Sequence, residues 1–288
     1  MKNLLHNISI MVVLALMMAG IQSCSDDWQE VGDVQVSFTA TLPSDTRTRA
    51  FGDAGKVNTL VVGIFKKGVA DVHTNSGGSW NYYEIDRQSF PINGTSVNVQ
   101  LTLAQEQTYS FVFWAYDGNQ NIYNIDDLTA IEMNTLPNTI TFAQAEAADA
   151  FFATKEDITI TGERSYPVEL IRPLAQINVG TTGTPMQASF TAKSAPDTFH
   201  PFTNTVSGTV DFTWNFSDTT TETFSADGTA YNYLAMGYLF APTTATKISA
   251  ELILTDGNAS KTIQFPQVEI EANQRSNIAG NFTQKQEN

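Results

Sequence analysis

Short runs in which apolar and polar residues alternate recur along almost the whole chain, with turn residues between them. The clearest run covers residues 34–42, and its apolar members are Val34, Val36, Phe38, Ala40 and Leu42. A period of two predicts a strand with one buried face, whereas residues 109–116 are apolar on both faces, which predicts a central core strand. The Ala-rich residues 143–152 are the one convincing helix candidate. Together these patterns predict an all-β fold of antiparallel sandwiches with few short helices.

A strongly apolar run at residues 170–179 divides the chain a little past its middle. Pro173 within it has no N–H to donate to a β-ladder, so it must lie at a strand end or a sheet edge. A chain of 288 residues is long for one sandwich and sufficient for two. We therefore expect one sandwich domain over residues 33–172 and a second over 173–288, which begins with a strand at residues 174–180. One large sandwich with a bulge at Pro173 is the alternative.

Charge and residue types exclude several classes of function. The formal net charge is −15, from 30 acidic against 15 basic residues, so we expect no patch that binds nucleic acid or an anionic membrane surface. Cys24 is the only cysteine, which leaves no intrachain disulfide and no Cys-type zinc site. Only His73 and His200 lie outside the N-terminal leader, so we predict neither a metal centre nor a cofactor. The low charged fraction, 16%, favours an extracellular β-protein.

The N-terminus has the organisation of a secretory leader. A short basic start precedes an apolar run at residues 8–21, which is too short for a comfortable membrane span. Residues 21–24 look like a lipobox, the signal in which Cys24 is acylated and becomes the new N-terminus. We therefore predict a lipoprotein signal peptide at residues 1–23, an acidic tether at 24–32 and a location at the outer membrane or cell surface. An ordinary signal peptide, with Cys24 incidental, is the alternative.

Several stretches occur in a characteristic order. They are Cys24, the strand at 34–42 with the arginine loop after it, and residues 111–116, 150–153, 168–180, 233–238 and 274–283. In this order they resemble Bacteroidetes fimbrillin-like lipoproteins, the type V pilus subunits and their relatives. The resemblance covers nearly the whole chain. It implies two tandem transthyretin-like antiparallel β-sandwich domains and assembly with other pilus subunits, as a homopolymer or a heteropolymer.

The resemblance also implies how such a subunit assembles. An arginine- or lysine-specific protease cuts the loop after the first strand, and the candidate positions are Arg47 and Arg49, with Ala50 as the expected new N-terminus. Cutting removes the strand at 34–42, and a strand from another subunit fills the groove. The candidate donor-strand residues near the C-terminus are Val268, Ile270, Ile278 and Phe282. Family members that cap or anchor a pilus keep the first strand, so an uncut loop is the alternative.

A binding module is the second class of function that the sequence leaves open. An uncut surface lipoprotein could hold a glycan or a host receptor protein through aromatic side chains, although in strands such residues more often belong to a core. The candidate aromatic residues are Trp80, Tyr82, Tyr83, Trp114, Trp214 and Tyr238.

An enzyme is the third class, and we do not expect one. The carboxylate pairs Asp126–Asp127 and Glu146–Asp149 are the only candidates, because no nucleophile elbow, phosphate loop or zinc spacing is present. Asp117, Asn119 and Asn121 have the alternate spacing of a calcium loop. The glycine and the closing glutamate of such a loop are missing, which favours a turn.

Overall fold

Strands make up most of the chain in the computed structural model, which describes residues 32–43, 54–67, 82–135, 139–256 and 259–282. Over these ranges there are nineteen strands and one short helix, which confirms the predicted all-β fold. The first half contains β1 Asp33–Thr41, β2 Thr59–Lys67, β3 Tyr82–Pro91, β4 Ser96–Ala104, β5 Thr108–Tyr116, β6 Tyr123–Asn124, β7 Ile131–Met133, α1 Phe142–Glu146, β8 Phe151–Thr159 and β9 Arg164–Glu169. The second half contains β10 Leu174–Thr181, β11 Gln187–Ala195, β12 Thr198–His200, β13 Thr205–Ser207, β14 Val210–Asn215, β15 Thr223–Ala226, β16 Thr229–Phe240, β17 Thr246–Asp256, β18 Ala259–Ile270 and β19 Arg275–Gly280.

Strands that precede Pro173 form a sandwich of two sheets. One sheet has the order β4-β1-β9 and the other the order β3-β2-β5-β8. Their facing side chains form one apolar cluster, in which Phe38 of β1 meets Phe111 and Phe113 of β5 with ring centroids 4.8 and 5.3 Å apart. β2 pairs antiparallel with β3 and β5, whereas β1 and β9 run parallel. A parallel pair needs a long crossover, and here the chain passes through the opposite sheet between β1 and β9.

Strands that follow Pro173 form a second pair of sheets, with the orders β15-β16-β10-β19 and β14-β11-β17-β18. The strand predicted at residues 174–180 is β10, and it is buried along its whole length. The ring of Trp214 from β14 lies against the backbone of Gly237 in β16, where a Cβ would come within 2.5 Å of the ring. Glycine at this position therefore allows the two sheets to approach closely. β18 and β19, which hold Val268, Ile270 and Ile278 of the C-terminal donor-strand candidates, lie at sheet edges.

A fifth sheet joins the two halves of the chain. It has the order β13-β12-β7-β6, in which β6 and β7 precede Pro173 and β12 and β13 follow it. One apolar cluster continues from Trp114, on the outer face of β5, to Phe199 and Phe240 in the second half. β5 is therefore buried on both faces, as its two-sided apolar sequence predicts. Because this cluster crosses Pro173, the division into domains at residues 172 and 173 stays a prediction.

The helix is shorter than the sequence predicts. α1 begins with a capping box between Thr141 and Gln144, and it ends at Glu146. Phe151 and Phe152, the last residues of the predicted helix, instead open β8 and pair with β5. Burial of these two rings between layers outweighs the helix propensity of the Ala-rich run. Nowhere in the described ranges does a helix have the length and hydrophobicity of a membrane span.

Candidate functional site

β1 is the middle strand of its three-stranded sheet. On one side it pairs with β9, in a register that runs from Val36 beside Arg164 to Thr41 beside Glu169. On the other side the Leu42 N–H, just past the end of β1, donates to the carbonyl oxygen before β4 at 2.8 Å. Within the described residues β1 is the only ladder partner of both β4 and β9. Loss of β1 would therefore open two strand edges at once.

The apolar face predicted for β1 is buried inside the first sandwich. The buried positions are Val36, Phe38, Ala40 and Leu42, all at most 5% exposed, and Val34 is half-buried. Phe38 is the central contact, because besides the two rings of β5 it stacks on Tyr166 of β9 with centroids 5.4 Å apart. Each large apolar side chain contributes about 1.5–3 kcal/mol when it is fully buried. The groove between β4 and β9, which we call the β1 slot, would thus be strongly unfavourable if it were empty in water.

One segment of chain joins β1 to the strand that follows it. The described chain stops at residue 43 and resumes at Ala54, before β2. Arg47 and Arg49 fall between these points and lie outside the described residues, as do Cys24, the signal peptide and the tether up to residue 31. A backbone cut within residues 44–53 would leave β1 held in its slot by non-covalent contacts alone.

Three of the four C-terminal candidates lie in strands of the second pair of sheets, and the fourth, Phe282, follows β19. Val268 and Ile270 are buried in β18, which pairs with β17. Ile278 is half-buried in β19, which pairs in parallel with β10. Phe282, two residues beyond β19, is half-buried and packs against Phe265 with ring centroids 5.8 Å apart. None of the six residues of β19 is fully buried, so β19 is the more weakly anchored of the two strands.

Three of the six aromatic candidates belong to the core. Trp114, Trp214 and Tyr238 are fully buried, which confirms for these three the expectation that aromatic residues in strands belong to a core. Tyr82 stacks on Phe202 with ring centroids 3.5 Å apart. Tyr83 is 50% exposed, and Trp80 lies outside the described residues. The described aromatic residues therefore do not form a shared platform on the surface.

The acidic pair Glu146–Asp149 belongs to a buried polar contact that the sequence did not reveal. Arg172 donates from Nε and Nη2 to the two carboxylate oxygens of Asp149 at 2.6 and 2.8 Å, and its guanidinium lies 4.8 Å from the centroid of the Phe151 ring. Burial raises the pKa of Asp149, and Arg172 offsets that rise only in part. Burial lowers the pKa of Arg172, but the hydrogen bond and charge of Asp149 outweigh it and hold that pKa above its ordinary value.

Glu146, the other acid of the pair, accepts a hydrogen bond from the Tyr238 hydroxyl at 3.4 Å. The only sequence feature that could have indicated the buried ion pair is the position of Arg172 inside an apolar run, in a chain that has few basic residues.

The remaining acidic candidates lie in turns. In the pair Asp126–Asp127, the second carboxylate accepts from the Thr129 N–H at 2.8 Å. Asp117 Oδ1 accepts from Asn58 Nδ2 at 2.5 Å and from the Asn119 N–H at 3.0 Å, which confirms the predicted turn. In the part of the chain that the structure describes, no group of three or more His, Cys, Asp or Glu side chains is placed to hold a metal ion.

Comparison with known proteins places most of the chain in one family. Residues 28–288 match the family of unknown function DUF6562. No curated protein matches the chain.

Several solved structures are similar to this chain over most of its length. A fimbrial assembly protein from Parabacteroides distasonis ATCC 8503 is 12% identical, with a TM-score of 0.46 over 86% of this chain and 91% of that one. The fimbrial anchor protein Mfa2 from Porphyromonas gingivalis is 10% identical, with a TM-score of 0.42 over 81% of this chain and 82% of that one. The tip fimbrial protein Mfa3 of the same organism, truncated at its C-terminus, is 16% identical, with a TM-score of 0.40 over 81% of each chain.

Proposed function

The chain belongs to the DUF6562 family of unknown function, and we propose that it is a structural subunit or accessory protein of a surface pilus or fimbria. In this proposal, a lipid on Cys24 holds the protein to the outer membrane before assembly. A protease then cuts after Arg47 or Arg49, β1 leaves its slot, and a strand of another subunit takes its place. The partners are therefore other pilus subunits, in a homopolymer or a heteropolymer.

The observation that carries this proposal is that β1 is buried in the first sandwich and is joined to β2 by a segment that a protease could cut. Its apolar side chains fill the first sandwich, yet the segment that joins it to β2 contains the two candidate arginines. Once β1 has gone, both the apolar groove and the unpaired edges of β4 and β9 favour any strand that restores the ladder. The same contacts that stabilise the uncut chain would then hold two subunits together.

Digestion of the purified chain with an arginine-specific protease is expected to convert it from a monomer into a ladder of oligomers. Cutting after Arg49 gives a product that begins at Ala50, and loss of β1 opens the slot to a neighbour. Mass spectrometry reads the new N-terminus, and native gels with light scattering read the oligomers. The double variant Arg47→Gln/Arg49→Gln is the matched control, because it removes both cleavage positions and leaves the slot unchanged. A cut product that has lost β1 and stays monomeric would contradict the proposal.

An uncut surface lipoprotein that binds a glycan or a host protein is the second candidate. The half-exposed ring of Tyr83, on the edge strand β3, is the observation that favours it. The N-terminus of the protein extracted from the cell surface separates the two functions. A chain that begins at Ala50 favours the polymerising pilus subunit, and a chain that still begins at Cys24 favours an uncut protein, which is either the binding module or an accessory protein that keeps its first strand.

Replacing Cys24 with serine is expected to abolish both acylation and retention in the membrane fraction. Serine has no thiol to accept a lipid, and each buried CH₂ of a lipid chain contributes about 0.8 kcal/mol to membrane attachment. Metabolic labelling with an alkyne analogue of palmitate, followed by fractionation, measures both effects. Ser25→Ala is the matched control and should keep the label. Lipid label that persists on the Cys24→Ser variant would show that Cys24 is not the acylated residue.

A further inference from the structure

We propose that Asn93 is a site of spontaneous covalent modification, at which the backbone nitrogen of Gly94 displaces ammonia from the asparagine side chain. The main product is isoaspartate, which lengthens the backbone at residue 93 and loosens the end of β1 from the chain beside it. The modification itself does not depend on the proposed function, whereas its effect on the release of β1 rests on that function.

Asn93 and Gly94 form the only Asn-Gly pair in the chain. Deamidation requires the backbone nitrogen of the following residue to reach the side-chain carbonyl carbon, and glycine has no side chain to hinder that approach. The nitrogen bonds to this carbon and loses its proton, while the bond from the carbon to the amide nitrogen breaks and ammonia leaves. Water then opens the resulting succinimide ring on either side, which gives isoaspartate or aspartate.

The pair lies at an exposed corner between β3, which ends at Pro91, and β4, which begins at Ser96. Gly94 has a φ of 107°, and a Cβ at this position would meet nothing within 4 Å, so the corner is open to solvent on that side. Among the described residues, neither the Asn93 side-chain amide nor the Gly94 N–H has a hydrogen-bond partner. The reacting groups can therefore approach each other without first breaking a contact.

The residues on either side of this corner are held by hydrogen bonds. The Ile92 N–H donates to the Asn58 carbonyl oxygen, and the Leu42 N–H donates to the Thr95 carbonyl oxygen, each at 2.8 Å. Isoaspartate adds one carbon atom to the backbone between these two anchors, so both cannot keep their present positions. Ile92 is 7% exposed and Thr95 is exposed, so Thr95 is the residue that shifts. Its hydrogen bond to Leu42 is therefore the contact that isoaspartate weakens.

Leu42 directly follows β1 and comes before the segment with the two candidate cleavage positions. Once that segment is cut, the bond between Leu42 and Thr95 is the one that holds the new end of the β1 fragment against the chain before β4. A deamidated chain is thus expected to release β1 more readily than a fresh one. In the proposed pilus subunit, the age of the uncut chain would set how firmly β1 stays in its slot.

Incubation of the purified, folded chain at mildly alkaline pH tests the modification. Peptide mass spectrometry is expected to show the exchange of the Asn93 amide nitrogen for oxygen, at a rate that rises with pH because the deprotonated backbone nitrogen attacks. Labelling with an isoaspartate-specific methyltransferase identifies the main product. Asn98 is the matched control, since it is also exposed but lies within β4 and precedes a valine, and it should stay intact. An Asn93 that reacts in the urea-unfolded chain but not in the folded chain would overturn the proposal.

A dye on the thiol of Cys24, the only cysteine, marks the β1 side of the cut in the unacylated chain and reports the release of β1. After digestion, incubated chains are expected to lose the dye-labelled fragment several-fold faster than fresh chains. Asn93→Asp carries the new charge without the added backbone carbon, and Asn93→Gln does not form the succinimide readily, so both should behave like fresh chains.

Equal release from incubated and fresh chains would overturn the effect on β1. Release that is as fast from Asn93→Asp as from incubated chains would show that the charge, and not the lengthened backbone, is the cause. A β1 fragment that stays bound in every digested chain, while Asn93 is modified, would count against the proposed function and not against the modification site.

Discussion

Phe38→Ala is expected to lower the free energy of unfolding of the uncut chain by about 3–5 kcal/mol, the usual cost of truncating a buried aromatic side chain. Phe38 is fully buried and contacts the rings of Phe111, Phe113 and Tyr166. Its removal leaves a cavity at the centre of the first sandwich, which the flanking strands cannot close without losing their pairing. Urea unfolding followed by circular dichroism and tryptophan fluorescence measures the change.

Thr39→Ala is the matched control for this variant, because Thr39 belongs to the same strand but is exposed. Its effect should stay within about 0.5 kcal/mol. After cleavage, the β1 fragment of the Phe38→Ala chain should dissociate on the order of 100-fold faster or more, since 1.4 kcal/mol corresponds to a factor of ten. A loss of less than about 1 kcal/mol would mean that β1 is not packed against β5 in solution.

Arg172→Ala is expected to destabilise the chain by a similar amount, about 3–5 kcal/mol, because it leaves a buried carboxylate without its partner. The side chain of Asp149 is 1% exposed and that of Arg172 is 10% exposed. Alanine at residue 172 removes both hydrogen bonds and the charge that offsets the burial of Asp149. The free energy of unfolding at pH 7, measured in urea, gives the size of the effect.

The pH dependence of the same variant identifies the cause. Burial raises the folded-state pKa of Asp149, and the hydrogen bond and charge of Arg172 are the two largest effects that oppose this rise, ahead of the Ala150 N–H and the charge of Arg275, so loss of Arg172 raises that pKa further. A carboxyl whose pKa is higher in the folded state than in the unfolded state binds more protons when folded, so the variant should regain stability as the pH falls through that raised pKa towards the unfolded-state value. The double variant Asp149→Leu/Arg172→Met should recover most of the loss.

An exposed ion pair supplies the control for Arg172. Lys193 Nζ and Asp211 Oδ2 are 3.1 Å apart, and their side chains are 41% and 52% exposed. Lys193→Ala should change the free energy of unfolding by no more than about 1 kcal/mol. Equal losses for Lys193→Ala and Arg172→Ala would contradict the assignment of the large effect to a buried charge.

Local patterns predicted the strands of the fold well. Alternation over residues 34–42 predicted which face of β1 is buried, and the two-sided apolar sequence of residues 109–116 predicted that β5 lies between layers. Such predictions succeed because successive side chains of a strand point to opposite faces, so burial of one face produces an alternation of apolar and polar residues in the sequence. The Ala-rich residues 143–152 show the opposite case, because pairing of Phe151 and Phe152 with β5 overrode local helix propensity.

The candidate site was only partly visible in the sequence. The sequence pointed to β1 and to the apolar residues of the C-terminal segment, and Cys24, Arg47 and Arg49 remain predictions from the sequence and the family resemblance. The sequence did not reveal that Asp149 and Arg172 form a buried ion pair, because the residues around a charged side chain do not indicate which distant residue it pairs with.

The sequence by itself determined that this is a β-protein and which faces of its strands are apolar, because both properties follow from the geometry of neighbouring residues along one strand. Only the tertiary structure decided that β1 lies between β4 and β9, that it runs parallel to β9, and that the second half shares an apolar cluster with β5. These features depend on pairings between residues far apart in the chain, such as Val36 with Arg164. The free energy of such pairings comes from the whole assembled core, so no short stretch of sequence contains it.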